Sequence, residues 1–364
     1  MKYRICAVVF ILIGFSTISG CKNPAVIEKL GPVPEEEYIS FVPMAEIPFD
    51  MVKLKQNWRT RIEAMRRLGK LPIIDIESSY RLDNFDIKSF AKQMDKHGIA
   101  LIAFSVQTKR YGYWDEPARM LLYVDPWRYI PVTPSGVFPL WTEEPEKFLA
   151  QTKLSVLEAS YPLMGEFEFR HYPSPREYKS GAMYRDVTVP INGKEGHILF
   201  AFAEKSGVPF QIHYEIEDKL LPPLEEMLKK YPEAKVIWCH LAQIRYQDRS
   251  SIYNPAYVQE LIENFPNLYF DLAFGGPNSV YPGSGQHHAR VWNQLTKRAK
   301  KEWIDLIADH PWRFLAALDL GSDRMDALPR YTSNLRKFLN QLPRDTREIV
   351  AYKAAWKLLF NENI

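Results

Sequence analysis

Cysteine is scarce. Three in 364 residues are too few to staple a fold, so stability has to come from a packed core. Charge of one sign is also missing: 47 Lys and Arg stand against 44 Asp and Glu, a net charge of +3, and nothing in that balance implies nucleic acid. The sequence has no glycine fingerprint for a dinucleotide, no phosphate-binding loop and no internal repeat. Its N-terminal apolar segment, Ile5 to Phe15, is too short and wrongly flanked for a stable membrane span. What is present is an ordinary globular composition, 46% hydrophobic and 25% charged, with 20 Tyr, 20 Phe and 9 Trp. Packing is the plainer role for so many rings, and lining a pocket the other.

Lys2 and Arg4 ahead of the apolar segment read as a secretory signal over residues 1–20. Its end, Ile18-Ser19-Gly20-Cys21, resembles the lipobox of bacterial lipoproteins, in which cleavage leaves the cysteine first and its thiol acylated. The resemblance implies a lipid anchor such as palmitate at Cys21 and a place in the bacterial cell envelope, since each buried methylene contributes roughly 0.8 kcal/mol. Lys22 in place of an aspartate is similar to the outer-membrane sorting pattern, facing the periplasm in a Gram-negative host. Residues 21–50 carry Glu35-Glu36-Glu37 and several prolines and read as a tether; residues 51–364 form the folded domain. With Cys6 removed and Cys21 acylated, Cys239 stands alone in an apolar run.

From there the pattern alternates. Buried strands are expected at Leu71–Ile76, Ile99–Ser105, Arg128–Val132, Gly165–His171, Gly207–His213, Lys235–His240, Asn267–Phe274 and Arg313–Asp319. Helices are expected between them, notably Phe85–His97, Pro145–Tyr161, Gly196–Ser206, Asp218–Tyr231, Arg290–Asp309 and Leu335–Phe360 with a break at Pro343. Eight strands alternating with helices predict an α/β fold of the (β/α)8 TIM-barrel kind.

Such a barrel brings its strand ends to one mouth. Those ends would present Asp75 and Glu77, Arg170 or His171, His213, His240, Asp271 and Asp319. Imidazoles with carboxylates suit a divalent metal, and a site with few protein ligands leaves room for water or substrate. Arg170 has the planar fork that anchors a carboxylate, or else pairs with Glu166 or Glu168. His287, in the loop Gln286-His287-His288, sits on the same mouth, either against substrate or simply solvated.

The pattern resembles the amidohydrolase superfamily, and within it the amidohydrolase-related group that includes aminocarboxymuconate-semialdehyde decarboxylase and the benzoate-type decarboxylases. The resemblance runs from roughly Leu71 to Phe360. Where that family reads Ile-Asp-x-His-x-His on its first strand, this chain has Ile74-Asp75-Ile76-Glu77-Ser78-Ser79, so both histidines are replaced. His213 and His240 match the histidines of the fifth and sixth strands, and Asp319 the aspartate of the eighth. The resemblance implies one divalent ion, zinc or manganese, held by Glu77, His213 and Asp319, with Asp319 as base and His240 as acid or carbonyl-polarising group. Arg170, His171 and His287 would contact substrate. The implied activity is hydrolysis of a small ester, lactone or amide outside the cytoplasm. Glu77 also suits non-oxidative decarboxylation of an aromatic acid, and the lost histidines suit an inactive barrel that serves as a binding lipoprotein. Relatives of this group are often homodimers.

Overall fold

The computed structural model describes residues 48–81, 85–107, 114–321 and 324–364. The signal segment, Cys21 and nearly all of the tether lie outside the described residues. Among the described residues no helix is long and apolar enough to cross a membrane.

The chain enters through helix α1 (Met51–Arg67), whose first turn is capped by Asp50 accepting from the Lys53 amide at 3.0 Å. One face of α1 is buried through Leu54, Trp58, Ile62 and Met65, spaced three and four apart as a core-facing helix requires. Arg61, fully buried on that face, donates to the carbonyls of Ala100 (2.8 Å) and Ile99 (3.1 Å) and to Asp95. Those carbonyls open the second strand, so α1 lies against the bottom of the molecule.

Eight parallel strands follow: β1 (Ile73–Tyr80), β2 (Ile99–Val106), β3 (Tyr129–Val132), β4 (Met164–His171), β5 (Phe210–Tyr214), β6 (Val236–Trp238), β7 (Leu268–Asp271) and β8 (Phe314–Leu315). Strands β1 to β3 pair in order, and β4, β5, β6, β7 and β8 pair in order, all in parallel. Backbone bonds join these two sets into a ring. On one side the Gly136 amide donates to Glu166 O (2.8 Å) and the Glu168 amide to Gly136 O (2.9 Å). On the other, Ile76 N reaches Ala316 O (3.0 Å), Asp319 N reaches Glu77 O (2.9 Å) and Ser79 N reaches Leu320 O (2.7 Å). The fold is therefore a closed eight-stranded α/β barrel. The β3–β4 seam is tight enough to need glycine: a Cβ on Gly136 would meet the Phe167 ring at 2.6 Å, and one on Gly165 the Thr133 carbonyl at 2.5 Å.

Helices α2 (Ile87–His97), α3 (Glu116–Val124), α4 (Pro145–Ala159), α5 (Lys194–Ser206), α6 (Leu221–Lys230), α7 (Pro255–Asn264), α8 (Lys301–Asp309) and α9 (Leu328–Leu339) cover the outside. The chain ends in α-helices Arg344–Glu348 and Ala354–Phe360 joined by a π-helical turn, Ile349–Lys353. Two expected helices are corrected. Arg290–Asp309 is helical only from Lys301, because the Asn293 side chain accepts from the amides of Leu295 and Thr296 (both 3.0 Å) and Lys297 turns at φ 55°, which folds residues 293–298 into a turn. The final helical stretch begins earlier than expected, at Leu328, and breaks over residues 340–343.

Beyond β4 the chain makes a long excursion before α5. It carries a short helix, Pro175–Ser180, and a two-residue strand, Val187–Thr188, antiparallel to the end of β4. This excursion lies over the C-terminal mouth.

Candidate metal centre

At the C-terminal ends of the strands lies a cavity of about 180 Å³. Its inner wall is acidic: Glu77 from β1, Glu166 and Glu168 from β4, and Asp319 just after β8. Between them stand two buried imidazoles, His213 on β5 and His240 after β6.

Three atoms converge there. His213 Nδ1 is 2.8 Å from Glu166 Oε1, His240 Nε2 is 3.2 Å from the same oxygen, and the two nitrogens are 3.0 Å apart. The opposite nitrogen of each ring is already committed. His213 Nε2 donates to Glu215 Oε1 at 3.1 Å, and Glu215 is itself held by Arg245 at 2.6 Å. His240 Nδ1 donates to the Ala273 carbonyl at 3.3 Å. With those tautomers, two imidazole lone pairs and a carboxylate oxygen face a common point. Three acceptors cannot share that point without a positive charge between them, and their roughly 3 Å separations suit one small ion.

Without an ion a proton takes that place, and the electrostatics say so. Burial works against a charged His213, but the Glu166 and Glu215 carboxylates outweigh it and raise the ring to about 9. His240 is raised as well: burial opposes its charge, and Glu166 again reverses the balance. Burial disfavours the Glu166 carboxylate, yet the two imidazoles hold it well below the usual range. The residues present thus fit a bound divalent cation.

A second group adjoins the first through the other side of the His240 ring. Glu77, His240 and Asp319 each place a donor atom within 4.8 Å of the others', with Glu77 Oε2 at 3.6 Å from His240 Nδ1. Burial, and then the carboxylates of Asp271, Asp319 and Glu166, push Glu77 well above the ordinary carboxylate range. Asp319 accepts from Arg324 at 3.0 Å. Both His240 (φ 66°) and Asp319 (φ 51°) sit in the left-handed region, a conformation sparsely populated by residues with a side chain. Their strands stop there and turn the side chains over the mouth.

The structure divides the set Glu77, His213 and Asp319 expected to share one ion. His213 leans toward β4 and groups with Glu166 and His240, while Glu77 and Asp319 meet on the far side of the His240 ring. Glu166, expected only as a salt-bridge partner, is central. The signal for it was the alternation Glu166-Phe167-Glu168-Phe169: the phenylalanines pack outward against Trp141, so the glutamates face in.

Arg170 is also corrected. The register of β4 against β5 slips between Glu168 and Arg170, a bulge that turns Arg170 out of the barrel and brings His171 to the cavity. The Arg170 fork is filled by Glu217 (2.8 Å) and Asp186 (2.5 Å), and its plane lies 3.9 Å from the centre of the Tyr172 ring. His171 lines the cavity; its Nδ1 donates to Arg185 O at 2.7 Å, and burial holds its pKa well below the usual value, so Nε2 is an unprotonated acceptor, 3.9 Å from Glu168 Oε1. His287 is not among the lining residues: it lies in the small hairpin of Val280–Tyr281 with Gln286–His287.

Asp75 and Asp271 anchor backbone. Asp75 accepts from Ser78 Oγ (2.6 Å), Leu318 N (2.9 Å) and Glu77 N (3.2 Å), which locks β1 to β8; Asp271 Oδ1 accepts from His240 N (2.9 Å) and Ala273 N (3.0 Å). The cationic rim was also missed: Arg185, bonded to both oxygens of Glu168 and to Glu177, together with Arg245 and Arg324.

Residues 163–304 match the amidohydrolase family model. That span runs from the start of β4 into α8, and it holds Glu166, His213 and His240 but neither Glu77 nor Asp319. Solved structures that resemble the whole barrel include 5-carboxyvanillate decarboxylase from Sphingomonas paucimobilis, 12% identical over 80% of this chain and 99% of that one with a TM-score of 0.49. Others are 2,6-dihydroxybenzoate decarboxylase from Rhizobium (11%, 79% and 98%, TM-score 0.48) and dihydroorotase from Campylobacter jejuni (10%, 80% and 84%, TM-score 0.46). Likeness at these identities and scores carries nothing about chemistry. No curated protein matches the sequence.

Proposed function

We propose that this chain is a metal-dependent hydrolase acting on a small, polar ester, lactone or amide. The observation that carries the reading is the convergence of His213 Nδ1, His240 Nε2 and Glu166 Oε1, each imidazole held in the ligating tautomer by a bond on its far side. A zinc or manganese ion held by these three residues would polarise a carbonyl and lower the pKa of water. The remaining roles fall to side chains already in place. Asp319, at the rim of the acidic wall and steadied by Arg324, takes the proton of the attacking water. His171 Nε2, unprotonated beside Glu168, accepts from a donor group of the substrate. Opposite them Ser105 and Ser135, 2.7 Å apart, offer hydroxyls to a polar substrate.

The wall disfavours the aromatic-acid alternative. Among the described lining residues Val137 is the only aliphatic side chain and no Phe, Tyr or Trp appears, so a benzene ring would find no apolar surface to bury against. The lipobox-like Cys21 motif supports placing this reaction in the cell envelope; a Cys21→Ser protein released from the membrane fraction would agree with that.

The test is turnover of a panel of small polar esters, lactones and amides by the full chain, before and after chelation. Activity should vanish with chelator and return with manganese or zinc. Asp319→Asn should lower kcat by roughly 10²–10⁴-fold with Glu166, His213 and His240 still binding metal. Carbon dioxide as product, or hydrolysis indifferent to chelator, would overturn the reading.

A further inference from the structure

Below the cavity floor the barrel holds a third donor cluster that the hydrolytic reading does not use. Glu77, Cys239 and Asp271 each place one donor atom within 4.8 Å of the others', on β1, just after β6 and at the end of β7. All three are buried, with relative exposures of 4%, 4% and 0%. Glu77 Oε2 has no hydrogen-bond donor, the His240 Nδ1 proton 3.6 Å away being committed to the Ala273 carbonyl, and the Asp271 carboxylate has only the Cys239 thiol beyond its backbone bonds. Asp271 Oδ1 is fully used by the His240 and Ala273 amides. The Cys239 thiol lies against the Asp271 carboxylate, to which it donates, and 3.9 Å from the Ile237 carbonyl.

A buried carboxylate oxygen with no donor costs free energy whichever way it titrates. Ionised, it lacks a counter-charge; protonated, its O–H needs an acceptor. Such an oxygen on Glu77, beside a second buried carboxylate and a thiol, is resolved by a cation that all three can share. We propose that Glu77, Cys239 and Asp271 form a second metal site, for a thiophilic divalent ion such as zinc or cadmium, distinct from the Glu166–His213–His240 centre. The donor set decides the class: one thiolate with two carboxylates favours zinc or cadmium over magnesium or calcium. On binding, the thiol S–H bond breaks as the sulfur–metal bond forms and the proton leaves to solvent, with no change of oxidation state. Glu77 lines the cavity floor as well, so the ion enters past it. Once bound it would tie β1, β6 and β7 directly beneath the catalytic mouth.

Sulfur makes this site separately visible, since the upper centre has no thiol. The experiment is a titration of the full chain with cadmium chloride, following thiolate-to-cadmium charge-transfer absorption in the near ultraviolet, with manganese binding measured in parallel. With Cys6 and Cys21 replaced by serine throughout, the chain carrying Cys239 should develop the band, Cys239→Ser should lose it, and both should bind manganese alike. Asp271→Asn, which keeps an oxygen for the His240 and Ala273 amides, should weaken cadmium binding by at least roughly tenfold and guards against a folding defect in the Cys239→Ser variant. A band that persists in Cys239→Ser, or none in the chain carrying Cys239 at saturating cadmium, overturns the proposal. Loss of manganese binding alone would instead count against the upper centre.

Discussion

Glu215 never faces the cavity's reacting region, yet it decides what His213 can do. By taking the Nε2 proton and being held in turn by Arg245, it leaves Nδ1 with a lone pair toward Glu166. Glu215→Gln can present its amide nitrogen to that ring and favour the wrong tautomer, so it should weaken manganese or zinc binding about 10–100-fold, read by isothermal titration calorimetry. Unchanged affinity would show that the His213 ring needs no such orientation. The same imidazole sets a pH dependence. Burial opposes its charge, but Glu166 and Glu215 raise it to about 9 from an ordinary value near 6.5, so the stability it adds to metal-free protein is complete below about pH 6.5 and is lost as pH rises through 9. Thermal midpoints of chelated protein should fall across that window, and saturating manganese should flatten the fall. Residue identity alone did not reveal this: Glu215 follows an apolar strand like many surface glutamates, and only the β5 geometry turns it back onto His213.

At the scale of elements, most strands were legible as apolar runs ended by polar residues, a pattern fixed by burial on both faces, and β4 by its alternation of Glu and Phe. The ends of β5, β6 and β8 were readable for the same reason, which is why His213, His240 and Asp319 stood out. What a pattern of twos cannot show is a bulge. In β4 the slip after Glu168 reverses the inward parity, so Arg170 leaves the cavity and becomes the fastener of the excursion over residues 172–193 through Glu217 and Asp186. Arg170→Ala leaves Glu217 with only the Tyr172 hydroxyl and Lys219 and should cost about 1–3 kcal/mol in denaturant unfolding. It should also speed proteolytic nicking between residues 172 and 193, and a variant as stable as wild type would return Arg170 to the list of substrate contacts. The misplaced start of α8 has a similar origin: Val291 and Trp292 are buried as a helix would bury them, but through a turn closed by Asn293.

For the whole molecule, the barrel separates its tasks by end. Stability concentrates at the bottom, where α1 buries Trp58 against Phe360 (ring centres 5.8 Å apart) and Arg61 grips the start of β2, while charge collects at the top. Trp58→Ala should therefore cost about 3–5 kcal/mol in unfolding while metal affinity at 25 °C stays unchanged. Coupled loss of both would mean the two ends are not independent. The alternation of elements disclosed this division in outline, but not the ion set, because convergence of His213 and His240 on Glu166 depends on the shear of three neighbouring strands. The central claim is that convergence. It is tested most directly by manganese binding to the full chain, compared with Glu166→Gln and with His213→Ala, by calorimetry and by electron paramagnetic resonance. The account predicts binding in the wild type that weakens by at least roughly tenfold in either variant. Equal binding in all three proteins, or none in the wild type, would contradict it.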